Sequence, residues 1–211
     1  MKRLSFSPAL IAGLILSTLP ARADGPSFDC ARAENDAEKA VCANANLAAL
    51  DREVARLYAL AAADSGLDDA ARADLTAYQR GWIKGRDACW KADDLAACVA
   101  ASYAMRIDEL RRDGADAAGD DPDAISFGPV AYACAGIDGP VSATFINGPL
   151  SHAWLRWGEN GALVTIALSG SGARYTGAYY DGPVEFWTKG DTALLTLPDR
   201  DEAACAETAT D

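Results

Sequence analysis

Apolar side chains recur every three or four positions in the first half of the chain and every second position in the later half, with the change near residue 118. Leu47, Leu50, Val54, Leu57 and Ala61 line one face of a predicted helix that Asp64-Ser65-Gly66 ends. Ala71, Leu75, Tyr78 and Trp82 keep the same period, as do Val99, Tyr103, Ile107 and Leu110. Residues 24–112 are therefore predicted to form a small helical bundle. The run Asp113 to Ala124, DGADAAGDDPDA, mixes acids with Gly, Pro and Ala and has no period, the composition of an exposed acidic linker placed at 113–126.

Beyond the linker the alternation is clearest at Val130, Tyr132 and Cys134, and Asp138-Gly139, Asn147-Gly148, Asn160-Gly161 and Asp181-Gly182 mark hairpins. Strands are predicted over Val130 to Cys134, Val141 to Ile146, His152 to Trp157, Ala162 to Leu168, Val184 to Thr188 and Ala193 to Leu197. A small antiparallel barrel or sandwich over 127–211 would hide their edges. The fold class is thus α+β, with two domains.

The extreme N-terminus stands apart. Met1-Lys2-Arg3 is basic, Pro8 to Leu19 is apolar, and Ala21-Arg22-Ala23 has small-x-small spacing, so residues 1–23 read as a secretory signal peptide cleaved after Ala23. No cysteine follows that site directly, so no lipid anchor is expected, and a periplasmic location is. With 50% apolar residues among 211, the chain can build a packed core. Its 19 Lys and Arg against 31 Asp and Glu give a formal net charge of −12, and the leader holds Lys2, Arg3 and Arg22 but no acid, so the exported chain is more acidic still. Such a balance argues against a phosphate-backbone binder and favours a basic protein partner.

Export also makes disulfides the natural state of the six cysteines. Four precede the boundary and two follow it, so pairing is expected within halves, Cys134 with Cys205; grouping leaves the pairing of the first four open, with Cys30 to Cys42 and Cys89 to Cys98 taken as the working assignment. Zinc would call for close CxxC-type pairs, which the sequence lacks. The sole histidine, His152, excludes multi-histidine metal sites and is expected to be an exposed or half-buried strand residue; no metal or cofactor is expected. Trp154 and Trp157, three apart, point to opposite faces of their strand.

The distinctive segment of the second half is Ser169-Gly170-Ser171-Gly172-Ala173-Arg174-Tyr175, followed by Phe186-Trp187-Thr188-Lys189-Gly190. Small residues let backbone approach another surface, the Ser171 hydroxyl both donates and accepts, and Lys189 carries a mobile positive charge. The same composition also suits a plain tight hairpin. It is neither a GxSxG nucleophile elbow nor a GxxxxGK[ST] phosphate loop. In the first half, Gln79-Arg80-Gly81-Trp82-Ile83-Lys84-Gly85-Arg86-Asp87 could grip an anion, though at helical spacing a solvated face with Trp82 in the core is the simpler reading.

Two family resemblances bear on these motifs. Phe28-Asp29-Cys30, Glu38-Lys39-Ala40-Val41-Cys42, Leu50-Asp51, the QRxWxKxRDxC run ending at Cys89, and Cys98 resemble the LprI-type domain of secreted bacterial proteins, some linked to lysozyme inhibition. Tyr132-Ala133-Cys134, SGSGARY at Ser169 to Tyr175, FWTKGDTA at Phe186 to Ala193 and Cys205 resemble the periplasmic and membrane-bound inhibitors of c-type lysozyme. That second resemblance implies an eight-stranded antiparallel β-barrel whose Ser171 and Lys189 enter the lysozyme cleft, with Gly170, Gly172, Arg174 and Tyr175 around them. It implies the soluble form, since the membrane-bound members carry a lipid-anchor cysteine. The 18 positions from Ser171 to Lys189 exceed the family spacing by about four, the surplus falling in Thr176 to Pro183, and an even insertion preserves side-chain alternation.

The expected function is therefore a non-enzymatic, periplasmic inhibitor of c-type lysozyme. A binding or adaptor module for a small ligand, cell-wall fragment or envelope protein is the alternative. A carboxylate glycosidase using Asp181 and Glu185 comes third.

Overall fold

Each α-helix begins at an asparagine or aspartate whose side chain accepts from the orphaned N–H groups of the first turn. In a computed structural model describing residues 25–114 and 124–208, Asn35, Asn44, Asp68 and Asp94 cap α1 (Asp36–Ala43), α2 (Ala45–Ala63), α3 (Asp69–Asp87) and α4 (Leu95–Asp113), and Asn35 completes a capping box with Glu38. The predicted helical faces fall on α2, α3 and α4, whereas α1, too short to show a period, was not foreseen. Tyr78, assigned to the buried face of α3, is 63% exposed. The bundle core packs Leu47, Leu50, Val54 and Leu57 of α2 against Val99, Tyr103, Ile107 and Leu110 of α4.

The second half is a closed antiparallel barrel in sequence order: β1 (Ser126–Cys134), β2 (Val141–Asn147), β3 (Ser151–Trp157), β4 (Asn160–Ala167), β5 (Ala173–Tyr179), β6 (Gly182–Lys189), β7 (Thr192–Thr196) and β8 (Ala203–Glu207). Alternate residues point inward, among them Tyr132, Phe145, Leu155, Val164, Tyr175, Phe186 and Leu195. Cys134 and Cys205 sit directly opposite one another where β1 meets β8, and their disulfide clasps the seam. On the loop-entropy account, such a long-range crosslink contributes about 4 kcal/mol. The other pairs are Cys30–Cys42 and Cys89–Cys98, which close short loops within the helical half.

Two expected turns move. The hairpin predicted at Asn160-Gly161 turns at Gly158-Glu159, and that predicted at Asp181-Gly182 turns at Tyr180-Asp181. Strands β5 and β8 are additional to those predicted.

The two halves lie in contact along the outer faces of β1 to β4. Ile146 belongs to the core of the helical half, and Trp154 and Leu163 pack against it from outside the barrel, while Trp157 packs inside. Buried polar groups stitch this seam. Asp108 of α4 accepts from the Thr144 hydroxyl at 2.7 Å and pairs with Arg112 and Arg156. The Ser126 hydroxyl donates to Glu53, and Arg111 donates to the carbonyls of Ser126 and Gly128. His152, expected at or near the surface, is 3% exposed because α2 covers it. The segment expected to be a signal peptide and most of the stretch expected to be an acidic linker lie outside the described residues.

Candidate functional site

One end of the barrel collects the β2–β3, β4–β5 and β6–β7 connections. The β4–β5 loop carries Ser171 there, and Lys189 ends β6 beside it, because Ala173 pairs with Thr188 across the two strands. The loop is held from beneath. The Trp187 indole N–H donates to the Ser171 carbonyl at 2.8 Å, and the Ser169 hydroxyl donates to the carbonyls of Ser171 and Gly172. Gly172 is needed twice over: its φ of +67° is in the left-handed region, and a Cβ there would overlap the Thr188 carbonyl oxygen. Gly170 meets nothing within 4 Å, so its lack of a side chain leaves room above the loop rather than within the fold.

While the backbone of Ser171 is pinned, its hydroxyl has no partner among the described residues, and neither does the ammonium of Lys189. Both residues are exposed, and next to them Leu168 is 97% exposed, an aliphatic side chain presented to solvent at the rim. The β5–β6 pairing runs in unbroken register from Ala173–Thr188 beside the loop to Tyr179–Gly182 at the far end, so Thr176 to Pro183 do not shift Lys189 relative to Ser171.

The remaining loop residues have internal roles. Tyr175 is 5% exposed, pointing into the barrel against Phe145, so it cannot itself reach a partner, and burial raises its hydroxyl pKa. Arg174 bonds Glu185 on the outer wall; the hydrogen bond raises the guanidinium pKa and lowers that of the carboxyl. Asp181 and Glu185 are not brought into one cleft: Asp181 sits at the opposite barrel end, while Glu185 is engaged by Arg174.

The first-half motif is structural instead. Arg86, expected on a solvated face, is 5% exposed; its guanidinium donates to Asp87 and to the Tyr103 hydroxyl, and Tyr103 donates to Asp51 at 2.8 Å. Burial and the Asp51 carboxylate drive the Tyr103 pKa up, keeping it a donor at any physiological pH. Gln79 accepts from Arg106. The signal that could have placed Arg86 inside is its position four residues after Trp82, on the same helical face.

Both sequence patterns find counterparts among known proteins. The family described as lysozyme inhibitor LprI matches residues 30–110, and that described as membrane-bound lysozyme-inhibitor of c-type lysozyme matches 132–204. Lipoprotein LprI of Mycobacterium tuberculosis is 33% identical over 175 residues, covering 79% of this chain and 83% of the relative. The chain belongs to the LprI family. Lipoprotein LprI of Mycobacterium bovis aligns to the same extent. In this LprI-family protein the helical region supplies the residues that match one inhibitor family, and the barrel carries the free serine and lysine within the match to the other.

Proposed function

We propose that this protein inhibits c-type lysozyme by offering Ser171 and Lys189 to the enzyme's two active-site carboxyl groups. A retaining lysozyme cleaves with one carboxyl held protonated and the other ionised. A hydroxyl can bond the first and an ammonium can neutralise the second, without any covalent step. The observation that carries this reading is the pinned Ser171 backbone, whose hydroxyl is unpartnered beside an unpartnered Lys189. Leu168 supplies an apolar contact at the rim, Gly170 leaves space for the enzyme, and Gly172, Arg174 and Tyr175 brace the loop. A formal charge of −12 steers a basic enzyme toward the chain. The leader pattern favours action outside the cytoplasm.

Titrating c-type lysozyme with the purified protein should abolish activity at a fixed molar ratio; unchanged activity refutes the reading. Ser171→Ala and Lys189→Ala should each weaken inhibition about thirtyfold, roughly 2 kcal/mol, as expected of groups desolvated at an interface centre. Because both meet one pair of carboxyl groups, their effects should be non-additive in a double-mutant cycle. If both single variants inhibit like the parent, the site lies elsewhere on the molecule.

A further inference from the structure

The far end of the barrel, opposite Ser171, holds a second open site of about 660 Å³ that inhibition does not use. Trp157 at the end of β3 meets Tyr179 edge-on at 5.1 Å between ring centroids, and Tyr179 meets Tyr180 edge-on at 4.6 Å. The β5–β6 hairpin carries the two tyrosines, and Tyr180 is 85% exposed. Burial cannot be the reason for a tyrosine so open to water.

Backbone geometry points the same way. Among the described residues, the non-glycine positions with positive φ are Tyr180, at +50°, and Asp199, at +57°, and both line this cavity. Tyr180 stands at the first central position of a two-residue hairpin, where glycine is the undemanding choice. Strained backbone that coincides with an exposed aromatic marks a place where the side chain is wanted for something outside the fold.

Around the rings the polar groups are mixed. The Tyr179 hydroxyl donates to the Asn160 side-chain oxygen at 2.6 Å, and that amide's N–H groups have no partner among the described residues. Asp181 and Asp199 offer acceptors, and Arg200, which touches the Gly136 carbonyl through one nitrogen, offers donors. An anion would meet two carboxylates, and a wholly apolar ligand would leave amide, acids and guanidinium unanswered. A ligand with flat C–H faces edged by hydroxyls meets both the rings and the polar rim. We propose that this end of the barrel binds a neutral oligosaccharide, with Tyr180 as its stacking platform.

Calorimetric titration of the full exported chain with cellotetraose and, separately, chitotetraose tests this. Saturable heat with either sugar is expected. Titration to about 10 mM reaches well past a Kd of 1 mM. Tyr180→Asn removes the ring yet suits the left-handed backbone, so it should keep or raise the melting temperature while weakening the sugar at least tenfold. Inhibition of lysozyme should be unchanged in Tyr180→Asn, and sugar binding unchanged in Ser171→Ala. No saturable heat with either sugar overturns the proposal, as does a Tyr180→Asn chain that binds like the parent or a Ser171→Ala chain that loses the sugar.

Discussion

Asp51 and Arg86 in the helical half and Ser171 and Lys189 in the barrel are polar motif residues of similar prominence in the sequence, yet the fold treats them in opposite ways. In the first set each group is answered within the chain: Tyr103 links Asp51 to Arg86, and Arg86 also holds Asp87. In the second, the backbone is answered and the side chains are left open. A polar motif is structural when its partners lie inside the fold, and a candidate contact when only its scaffold is satisfied. Residue type alone does not separate the two cases.

Removing one member of the closed set should give the largest effect. Arg86→Ala leaves Tyr103 and Asp51 buried without their cation and should cost about 3–5 kcal/mol of stability, measured by chemical denaturation. Under conditions where that variant remains folded, its inhibition per folded molecule should equal the parent's. Ser171→Ala should do the reverse, with an unchanged melting temperature and weakened inhibition. If Arg86→Ala lost inhibition while folded, or Ser171→Ala lost stability, the contrast would break.

Within the loop the same distinction can be sharpened between neighbours. Gly172→Ala places a Cβ against the Thr188 carbonyl in left-handed backbone, and should destabilise by at least about 1–2 kcal/mol. Gly170→Ala enters open space, and its melting temperature should stay near the parent's while inhibition falls. A Gly170→Ala variant that inhibits fully would remove this glycine from the contact.

The smallest effect concerns pH. Asn46 is oriented by accepting from the Leu150 N–H, so its amide faces His152 Nε2 at 2.8 Å, and the other ring nitrogen meets Thr165 at 3.0 Å. Burial lowers the His152 pKa, and these neighbours require the neutral ring. The unfolded chain therefore binds the proton more readily, so this contribution is full above the unfolded value near 6.5 and is lost as pH falls below it, by no more than about 1.4 kcal/mol per pH unit. The parent should lose more stability than His152→Gln between pH 7.5 and 5.5 in paired denaturation curves; parallel curves would refute the requirement for a neutral ring.

Much of this architecture was legible because the helical and strand periods are strong and the cysteines group by half. What escaped did so for identifiable reasons. Gly161 and Gly182 look like turn residues, but Gly161 is small because the Trp154 ring lies over it and Gly182 because Pro198 does, so the turns sit upstream. Strand β5 was hidden by small residues that read as loop, and β8, AACAE, has no β-branched or aromatic side chain, its place being set by pairing with β1 and β7. Ser171 and Lys189 could be singled out from their motifs, but their free side chains could not, since that depends on Trp187 reaching across the strand pair. His152 could not be placed from its own strand at all, because the element that buries it is over a hundred residues away.

The inter-half contact through Ile146, Trp154 and Leu163 makes part of the barrel wall a party wall, greasy on both sides and lacking a weather face. Neither tenant can leave without stripping it. Cut away from the helices, the barrel would display these three side chains beside the orphaned Thr144 hydroxyl and Arg156, an adhesive patch inviting self-association. The chain should accordingly melt as one cooperative unit, although its sequence divides into two modules.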